Sequence, residues 1–84
     1  MIVTAIKCPK CSSIIYSRTR HDFRSCECGK CSIDGGFEYT KVSADPECLD
    51  SLTTVRLNLD VSKQDLHDDW SSKTDKYGLI KAKN

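Results

Sequence analysis

The sequence lacks the motifs of several common enzyme classes. Its 84 residues contain no GxSxG motif, no HExxH motif and no glycine-rich phosphate-binding loop. These motifs mark serine hydrolases, zinc proteases and nucleotide-binding enzymes. We therefore expect a protein without enzymatic activity.

Long apolar runs are also missing. No run approaches the roughly 20 residues that a membrane-spanning helix needs. Residues 1–7 lack the basic region and the length of a secretory signal. The sequence predicts no membrane association and a cytoplasmic location, where thiols stay reduced.

A dominant charge is absent too. The formal net charge is +1, but residues 1–43 carry seven Lys/Arg against four Asp/Glu, and residues 44–77 carry four against eight. Lys81 and Lys83 add a short basic tail. Because no single sign dominates, charge alone does not identify a partner.

Cysteine is what the sequence does contain. Six are present, and four form two close pairs, Cys8-Pro-Lys-Cys11 and Cys26-Glu-Cys28-Gly29. Two thiol pairs joined by a chain reversal supply the soft tetrahedral ligands that Zn²⁺ prefers, at about 2.3 Å. Disulfides would need an oxidising compartment, and a small core gains from a metal. We predict one structural Zn²⁺ per chain, bound by Cys8, Cys11, Cys26 and Cys28.

A competing ligand set exists. Cys28-Gly29-Lys30-Cys31 is also a Cys-x-x-Cys pair, and its use would leave Cys26 free. Glycine directly after the second ligand is typical of a zinc knuckle, which favours Cys26 with Cys28. Cys48 lies in a predicted loop and is interpreted as a bystander thiol.

The residue pattern predicts an α+β fold in a single domain, residues 1–84. Residues 1–42 are expected to form a small zinc ribbon of short antiparallel β-hairpins. Residues 43–84 are expected to add a β-strand, a C-terminal α-helix and the short basic tail. The first hairpin has a strand centred on residues 14–17 and a bend near residues 21–22. A second reversal falls at Asp34-Gly35-Gly36, flanked by Ile33 and residues 37–40.

The predicted strand and helix of the second part have clear signals. Apolar and polar residues alternate over residues 55–61, which is typical of a strand with one buried face. A helix should follow from the N-cap Ser62 to Gly78 at its C-terminal end. Leu66 and Trp70 share one face, and Trp70 is the expected core anchor.

One group of motifs resembles a known family. The motifs are Lys7-Cys8-Pro-Lys-Cys11, Ser17 through His21-Asp22-Phe23, Cys26-x-Cys28-Gly29-Lys30, Asp34-Gly35-Gly36 and Tyr39. Residues 7–39 thereby resemble small zinc-ribbon proteins of bacteria and tailed phages.

The resemblance implies a ribbon, a phage origin and the host cytoplasm as location, and it brings no established activity. In that pattern the position of Cys31 is usually apolar, which again favours Cys26 as the ligand. Ser12 stands where the family tends to have glycine.

His21 and Asp22 lie between the two cysteine pairs in the sequence. They suggest a hydrolytic base, or His21 as a replacement ligand. A structural role is favoured, with Asp22 capping a turn. A zinc ion held by four thiolates has no position for an activated water molecule.

Two groups of residues are candidates for binding a macromolecule. Basic residues near Tyr16 and Phe23 can contact the phosphates and bases of single-stranded nucleic acid, unless the rings are buried. These residues are Arg18, Arg20 and Arg24. Acidic residues of the second part can dock a basic protein or form the solvated side of the helix. These residues are Asp60, Asp65, Asp68, Asp69 and Asp75.

Balanced charge favours a protein partner. We predict a non-enzymatic zinc-ribbon module that acts through protein–protein interaction. With the phage resemblance, a host-directed or anti-defence accessory role follows as an expectation. Nucleic-acid binding through residues 18–24 is the alternative, and a small nucleotide-like ligand held by an oligomer is a weaker one.

Overall fold

The computed structural model describes residues 1–20, 22–36, 40–74 and 76–81. Within these residues the chain forms seven short strands and two short helices. In chain order they are β1 (Ile2–Lys7), β2 (Ile14–Ile15), β3 (Arg24–Ser25), β4 (Cys31–Asp34), β5 (Lys41–Ala44), α1 (Pro46–Leu49), β6 (Thr53–Asn58), α2 (Lys63–Ser71) and β7 (Leu79–Ile80). The strands form two antiparallel sheets, ordered β6-β1-β2-β7 and β3-β4-β5. No helix in the described ranges is long and apolar enough to cross a membrane.

The predicted fold class is wrong. We expected an α+β zinc ribbon followed by a strand and a C-terminal helix, whereas the described chain is mostly β and places β7 after its last helix. The cause is long-range pairing. β1 pairs along its whole length with β6, so that Ile2 lies opposite Asn58 and Lys7 opposite Thr53. An alternating pattern identifies a strand, but it does not identify a partner far along the chain.

β1 lies between β6 and β2 in the first sheet. It buries Val3, Ala5 and Ile6. The side chains of β6 alternate between half-buried and exposed after its first two residues, in line with the predicted period of two. β6 pairs only as far as Asn58, and the next amide, of Leu59, donates to the carbonyl of Met1 at 2.6 Å.

The first predicted hairpin does not form. β2 pairs with β1 and β7, whereas β3 pairs with β4 in the other sheet. Hydrogen bonds from a side chain stabilise the segment between β2 and β3 instead. The Ser17 hydroxyl lies 2.7 Å from the carbonyls of both Thr19 and Asp22, and the Asp22 amide donates to Thr19 at 3.0 Å. Such side-chain bonds offer the backbone an alternative to a strand ladder. His21, at the predicted bend, lies outside the described residues.

The second predicted reversal is confirmed between β4 and β5. Gly35 and Gly36 there have φ values of 90° and 67°. A β carbon at Gly36 would lie 2.7 Å from the backbone nitrogen of Arg20. Gly36 is therefore required by its own conformation and by the close approach of a neighbouring loop. Of the residues 37–40 that flank this reversal in the sequence, 37–39 lie outside the described residues, and β5 begins at Lys41.

The start of the second helix was predicted correctly, and its end was not. The Ser62 hydroxyl accepts from the Asp65 amide at 3.1 Å, and the Asp65 carboxylate accepts from the Ser62 amide at 3.0 Å. This is a capping box. α2 ends at Ser71, and the left-handed residue after it is Lys73, with φ 57°. Gly78 was expected at this end, but it lies directly before β7.

Two apolar clusters fill the interior. The first consists of three isoleucines and four cysteines, which are Ile6, Ile15, Ile33, Cys8, Cys26, Cys31 and Cys48. The second contains Val3, Ala5, Tyr16 and Leu66. Trp70 is only half-buried, with its ring 5.6 Å from that of His67. The core anchor of α2 is therefore Leu66, which is fully buried, and not Trp70.

We predict that Leu66→Ala lowers the free energy of unfolding by about 2–5 kcal/mol, because it removes a fully buried side chain and leaves a cavity. Trp70→Ala, the matched control on the same helix face, should cost less than Leu66→Ala. Urea unfolding of the metal-saturated protein measures both values. A larger loss for Trp70→Ala would show that the ring, and not Leu66, holds α2 to the sheet.

Candidate metal centre

The predicted metal ligands lie at the ends of strands from both sheets. Cys8 directly follows β1 of the first sheet, and Cys26 directly follows β3 of the second. Cys11 and Cys28 lie on the turns that come next. The Sγ atoms of all four residues are within 4.8 Å of one another. The structure therefore brings the four cysteines into one cluster.

The spacing of the sulfur atoms suits a metal and not a disulfide. The Sγ atom of Cys28 lies 3.6 Å from that of Cys8 and 3.4 Å from that of Cys26. Metal–sulfur bonds of about 2.3 Å in a tetrahedron place sulfur atoms about 3.8 Å apart, whereas a disulfide requires about 2.05 Å. All six cysteines are free thiols. These thiols can hold a soft metal ion.

Backbone hydrogen bonds shape the two loops that carry the cysteines. In the first loop the Ser12 amide donates to the Cys8 carbonyl at 2.9 Å, and Ser12 has φ 61°. The glycine that the family resemblance leads one to expect at this position would adopt that conformation without strain. In the second loop the Gly29 amide donates to the Cys26 carbonyl at 3.0 Å, and Gly29 has φ 76°. Both loops therefore fold back around their thiol pair.

Ser13 contacts the cysteine cluster, which the sequence pattern did not indicate. Its side chain is buried, and its hydroxyl lies 2.8 Å from the Cys11 sulfur. Burial alone would raise the pKa of Cys11, but hydrogen bonds from the Ser13 hydroxyl and amide lower it to about 6. The lowered pKa favours the thiolate of Cys11, which is the form that binds metal.

The shift differs among the other thiols. Desolvation opposes the ionisation of Cys8, but backbone hydrogen bonds from Cys11 and Lys10 lower its pKa. The Lys30 amide lowers the pKa of Cys28, but desolvation and the neighbouring sulfurs of Cys26 and Cys8 outweigh it and raise the pKa to about 12. Several adjacent thiolates repel one another, so they do not all ionise together without a cation among them. A bound metal ion replaces the protons and removes this penalty.

Cys31 and Cys48 form a second group with Cys8. All three are fully buried, with Sγ atoms within 4.8 Å of one another. Desolvation raises the pKa of Cys31 and of Cys48. Cys48, interpreted from sequence as a bystander in a loop, lies on α1 and is part of the core. Cys48 lies beside Cys8 because of the way α1 packs. The position of Cys48 in the sequence does not indicate this packing.

A buried ionic cluster occupies the loop between β2 and β3. The Arg18 guanidinium donates to Asp22 at 2.8 Å and to Asp69 of α2 at 2.7 Å. Asp69 also accepts from the amides of Lys76 and Tyr77, both at 2.9 Å. Burial opposes the charged form of Asp69, but Arg18 and the two amides lower its pKa. The cluster ties this loop to α2 and to the segment before β7.

Two residues that were expected to contact a partner belong instead to this buried ionic cluster. Arg18 and Asp69 were expected to face a partner, but only 3% and 6% of their surfaces are exposed. Asp22 was expected to cap the turn of the first hairpin, which does not form. Its amide instead donates to the Thr19 carbonyl, and its carboxylate accepts from the Arg18 amide and guanidinium. A single Asp on a polar helix face gives no signal that it pairs with an arginine 51 residues away.

The other expected contacts have different surroundings. Arg20 is exposed, and Arg24 is half-buried with its guanidinium 3.3 Å from the Tyr77 carbonyl. Asp65 and Asp68 are exposed on α2. Asp65 serves in the capping box, and Asp68 accepts from Gln64 at 2.9 Å. Of the remaining candidates, Asp60 is exposed, and His21 and Asp75 lie outside the described residues.

We predict that Asp69→Asn lowers the free energy of unfolding by about 3–5 kcal/mol, because it leaves the buried Arg18 charge without one of its two carboxylates. Asp68→Asn, one residue earlier on the exposed face, is the matched control and should change stability by less than about 0.5 kcal/mol. Chemical denaturation with metal content checked in each variant measures the difference. Equal stability of the two variants would contradict the structural role of the cluster.

Comparison with known proteins gives a family match over the first half of the chain. Residues 1–44 match a protein family described as "Domain of unknown function (DUF7695)". The matched segment contains both cysteine pairs and ends with β5. Searches of curated proteins and of solved structures found no match. The family match thus covers the cysteine centre, but it assigns no activity, zinc-ribbon family or phage source.

Proposed function

The chain belongs to the DUF7695 domain family, and we propose that it is a non-enzymatic binding module with one structural Zn²⁺ and a protein partner. The observation that carries this proposal is the gathering of four thiols from two sheets into one cluster. A cluster of this kind stabilises a small fold and leaves its outer surface available for binding.

The proposed ligands are Cys8, Cys11, Cys26 and Cys28. Two contacts support Cys26 over Cys31. The Cys26 sulfur lies 3.4 Å from that of Cys28, and it accepts a hydrogen bond from the Cys31 amide at 3.3 Å. Amide-to-sulfur bonds of this kind orient and stabilise ligand thiolates. Cys31 then supports the site through its backbone, while its own sulfur faces Cys8 and Cys48.

The proposed ligand set supports the non-enzymatic part of the proposal, because it leaves no catalytic position at the metal. Four thiolates complete the tetrahedral coordination of Zn²⁺, so no position is left for a water molecule or a substrate. Zinc in such a site contributes free energy of folding and does not act as a Lewis acid.

The protein partner is favoured because the basic loop is not an exposed cationic patch. Arg18 is buried between two carboxylates, and Arg24 contacts a backbone carbonyl. This leaves Arg20 as the exposed member of the expected group of three. By contrast, Asp65 and Asp68 remain exposed on one helix, where they can meet a basic protein surface.

One observation supports nucleic-acid binding as a second candidate. Phe23 is 62% exposed and borders a groove of about 690 Å³ that Trp70, Arg24 and Lys73 also line. Aromatic rings beside basic side chains are the usual elements of single-strand binding. This groove replaces the arginine hairpin as the nucleic-acid surface to test.

The sequence resemblance adds a narrower hypothesis. A phage-encoded protein of this kind would act on a host protein, for example as an anti-defence accessory factor. This hypothesis is supported by the resemblance alone, since a fold or a metal site does not fix a biological role.

We predict that the purified protein binds one Zn²⁺ per chain and that Ser substitution of Cys8, Cys11, Cys26 or Cys28 abolishes stoichiometric binding. Since metal binding is coupled to folding, chelation should unfold at least the loops around the cysteines. Metal analysis together with circular dichroism measures both effects.

Cys48→Ser is the matched control for the metal experiment, because Cys48 is buried beside the proposed site without being a proposed ligand. It should retain one Zn²⁺ per chain. Full zinc content in Cys26→Ser together with loss in Cys31→Ser would show that the alternative ligand set is the correct one.

For the partner, we predict that Asp68→Lys weakens capture of a host protein and that Phe23→Ala leaves this capture unchanged. The zinc-loaded protein serves as bait in a nuclease-treated host lysate, and metal content is checked in each variant. The opposite pattern, with salt-sensitive binding of short single-stranded oligonucleotides that Phe23→Ala abolishes, would favour the nucleic-acid candidate.

A further inference from the structure

We propose that the chain has a second metal site, in which Cys8, Cys31 and Cys48 bind one soft monovalent ion, Cu(I). The three Sγ atoms lie within 4.8 Å of one another, and all three residues are fully buried. Among the described residues, no histidine, carboxylate or further cysteine lies within the same distance of all three. We call this group the inner thiol site. It shares Cys8 with the proposed zinc site.

Three different elements build the inner thiol site. Cys8 directly follows β1, Cys31 is the first residue of β4, and Cys48 lies in α1. Two backbone hydrogen bonds hold α1 beside the start of β4. The Asp45 amide donates to the Lys30 carbonyl at 2.9 Å, and the Cys48 amide donates to the Asp45 carbonyl at 2.8 Å. The main chain therefore fixes where the three sulfur atoms meet.

The sulfur atoms of this site are available to a metal ion. The Cys31 sulfur hydrogen-bonds with the Cys8 sulfur, and the Cys48 sulfur with the Cys31 sulfur. Over the described ranges, no hydrogen bond joins the Cys31 or Cys48 sulfur to a group other than a cysteine. The bond from Cys31 to the Cys26 sulfur uses only the Cys31 amide. A thiolate sulfur has lone pairs for two metal ions, so Cys8 can bridge the two sites.

Ligand number and burial favour Cu(I) over a second Zn²⁺. Structural Zn²⁺ takes four ligands, and the fourth ligand here would have to be water. The site lies within the apolar cluster that contains Ile6, Ile15 and Ile33, which excludes water. Cu(I) is softer and forms trigonal complexes with thiolates alone. Three metal–sulfur bonds of about 2.3 Å in one plane place the sulfur atoms about 4 Å apart, and the spacing of the inner thiol site accommodates this.

Charge limits the inner thiol site to one ion. The four thiolates of the proposed zinc site outnumber the two charges of Zn²⁺, so that site is anionic and attracts a further cation to the Cys8 sulfur. Cys31 and Cys48 each give up a proton, and Cu(I) brings one positive charge. The interior thereby gains one negative charge, a cost that the copper–sulfur bonds have to exceed.

Cys28 gives Cu(I) a route to the buried sulfur atoms. It is exposed, and its sulfur lies 3.6 Å from that of Cys8. Ions that bind thiolates move between them by ligand exchange. Cu(I) can therefore pass from Cys28 to Cys8 and on to Cys31 without crossing the apolar part of the core.

The test is anaerobic addition of Cu(I), supplied as its bicinchoninate complex, to the zinc-loaded, full-length protein. The inference rests on the proposed function in one respect, the zinc ion at Cys8. One Cu(I) per chain should leave bicinchoninate while the zinc content stays at one per chain, as native mass spectrometry and metal analysis measure. X-ray absorption at the copper edge should show sulfur neighbours and a nearby zinc atom, because Cys8 binds both ions.

Variants locate the copper. Cys31→Ala and Cys48→Ala should each keep one Zn²⁺ and lose stoichiometric Cu(I). Alanine is chosen because it buries no hydroxyl group. Ile33→Val is the matched control, since Ile33 is buried in the same cluster and carries no sulfur, and it should bind both metals as the wild type does. Zinc content and circular dichroism are measured in each variant. Cys48→Val, which fills the space better, replaces Cys48→Ala if that variant fails to fold.

Three results would overturn the inference. The first is that the zinc-loaded protein withdraws no Cu(I) from bicinchoninate. The second is that the first equivalent of Cu(I) releases one Zn²⁺, because copper would then occupy the zinc site. The third is that folded variants at Cys31 and Cys48 take up Cu(I) as the wild type does, because these thiols would then serve core packing alone. A chain that binds no zinc contradicts the proposed function, whereas a zinc-loaded chain that takes up no copper contradicts only this inference.

Discussion

The contact among the cysteine sulfurs is the constraint on which the rest of this small structure depends. Cys8 comes from the end of β1, and Cys26 comes from the end of β3 in the other sheet. A metal bound between them would join the two sheets directly. The first apolar cluster is itself built around these cysteines and three isoleucines. In a chain this short, a site of this kind adds stability that apolar burial alone seldom supplies.

The Arg18 cluster is the second junction, and it limits which functions the surface can serve. It buries Arg18, Asp22 and Asp69 and connects the loop after β2 to α2. The same burial reduces the basic patch that nucleic-acid binding would use. One buried ionic cluster therefore affects both the stability of the fold and the choice between the two candidate partners.

Features of this protein that depend on neighbouring residues were predictable from the sequence. The cysteine pairs are separated by one or two residues, and the capping box at Ser62 spans three. The reversal at Gly35 and Gly36 is likewise a property of adjacent residues. Such signals fix backbone geometry over a few positions, whatever the rest of the chain does.

Sequence reasoning failed where the outcome depends on distant partners. Nothing near Ile14 and Ile15 shows that they pair with β1 and β7 and not with the following strand. Nothing near Asp69 shows that it meets Arg18. The sequence by itself determined the thiol pairs, the turns and the helix start, because these depend on neighbouring residues. Only the tertiary structure decided the sheet order, the buried ion pairs and the place of Cys48. Those features depend on which segments, distant in the sequence, pack against one another and bury their apolar side chains. The apolar pattern of each segment does not specify its partner.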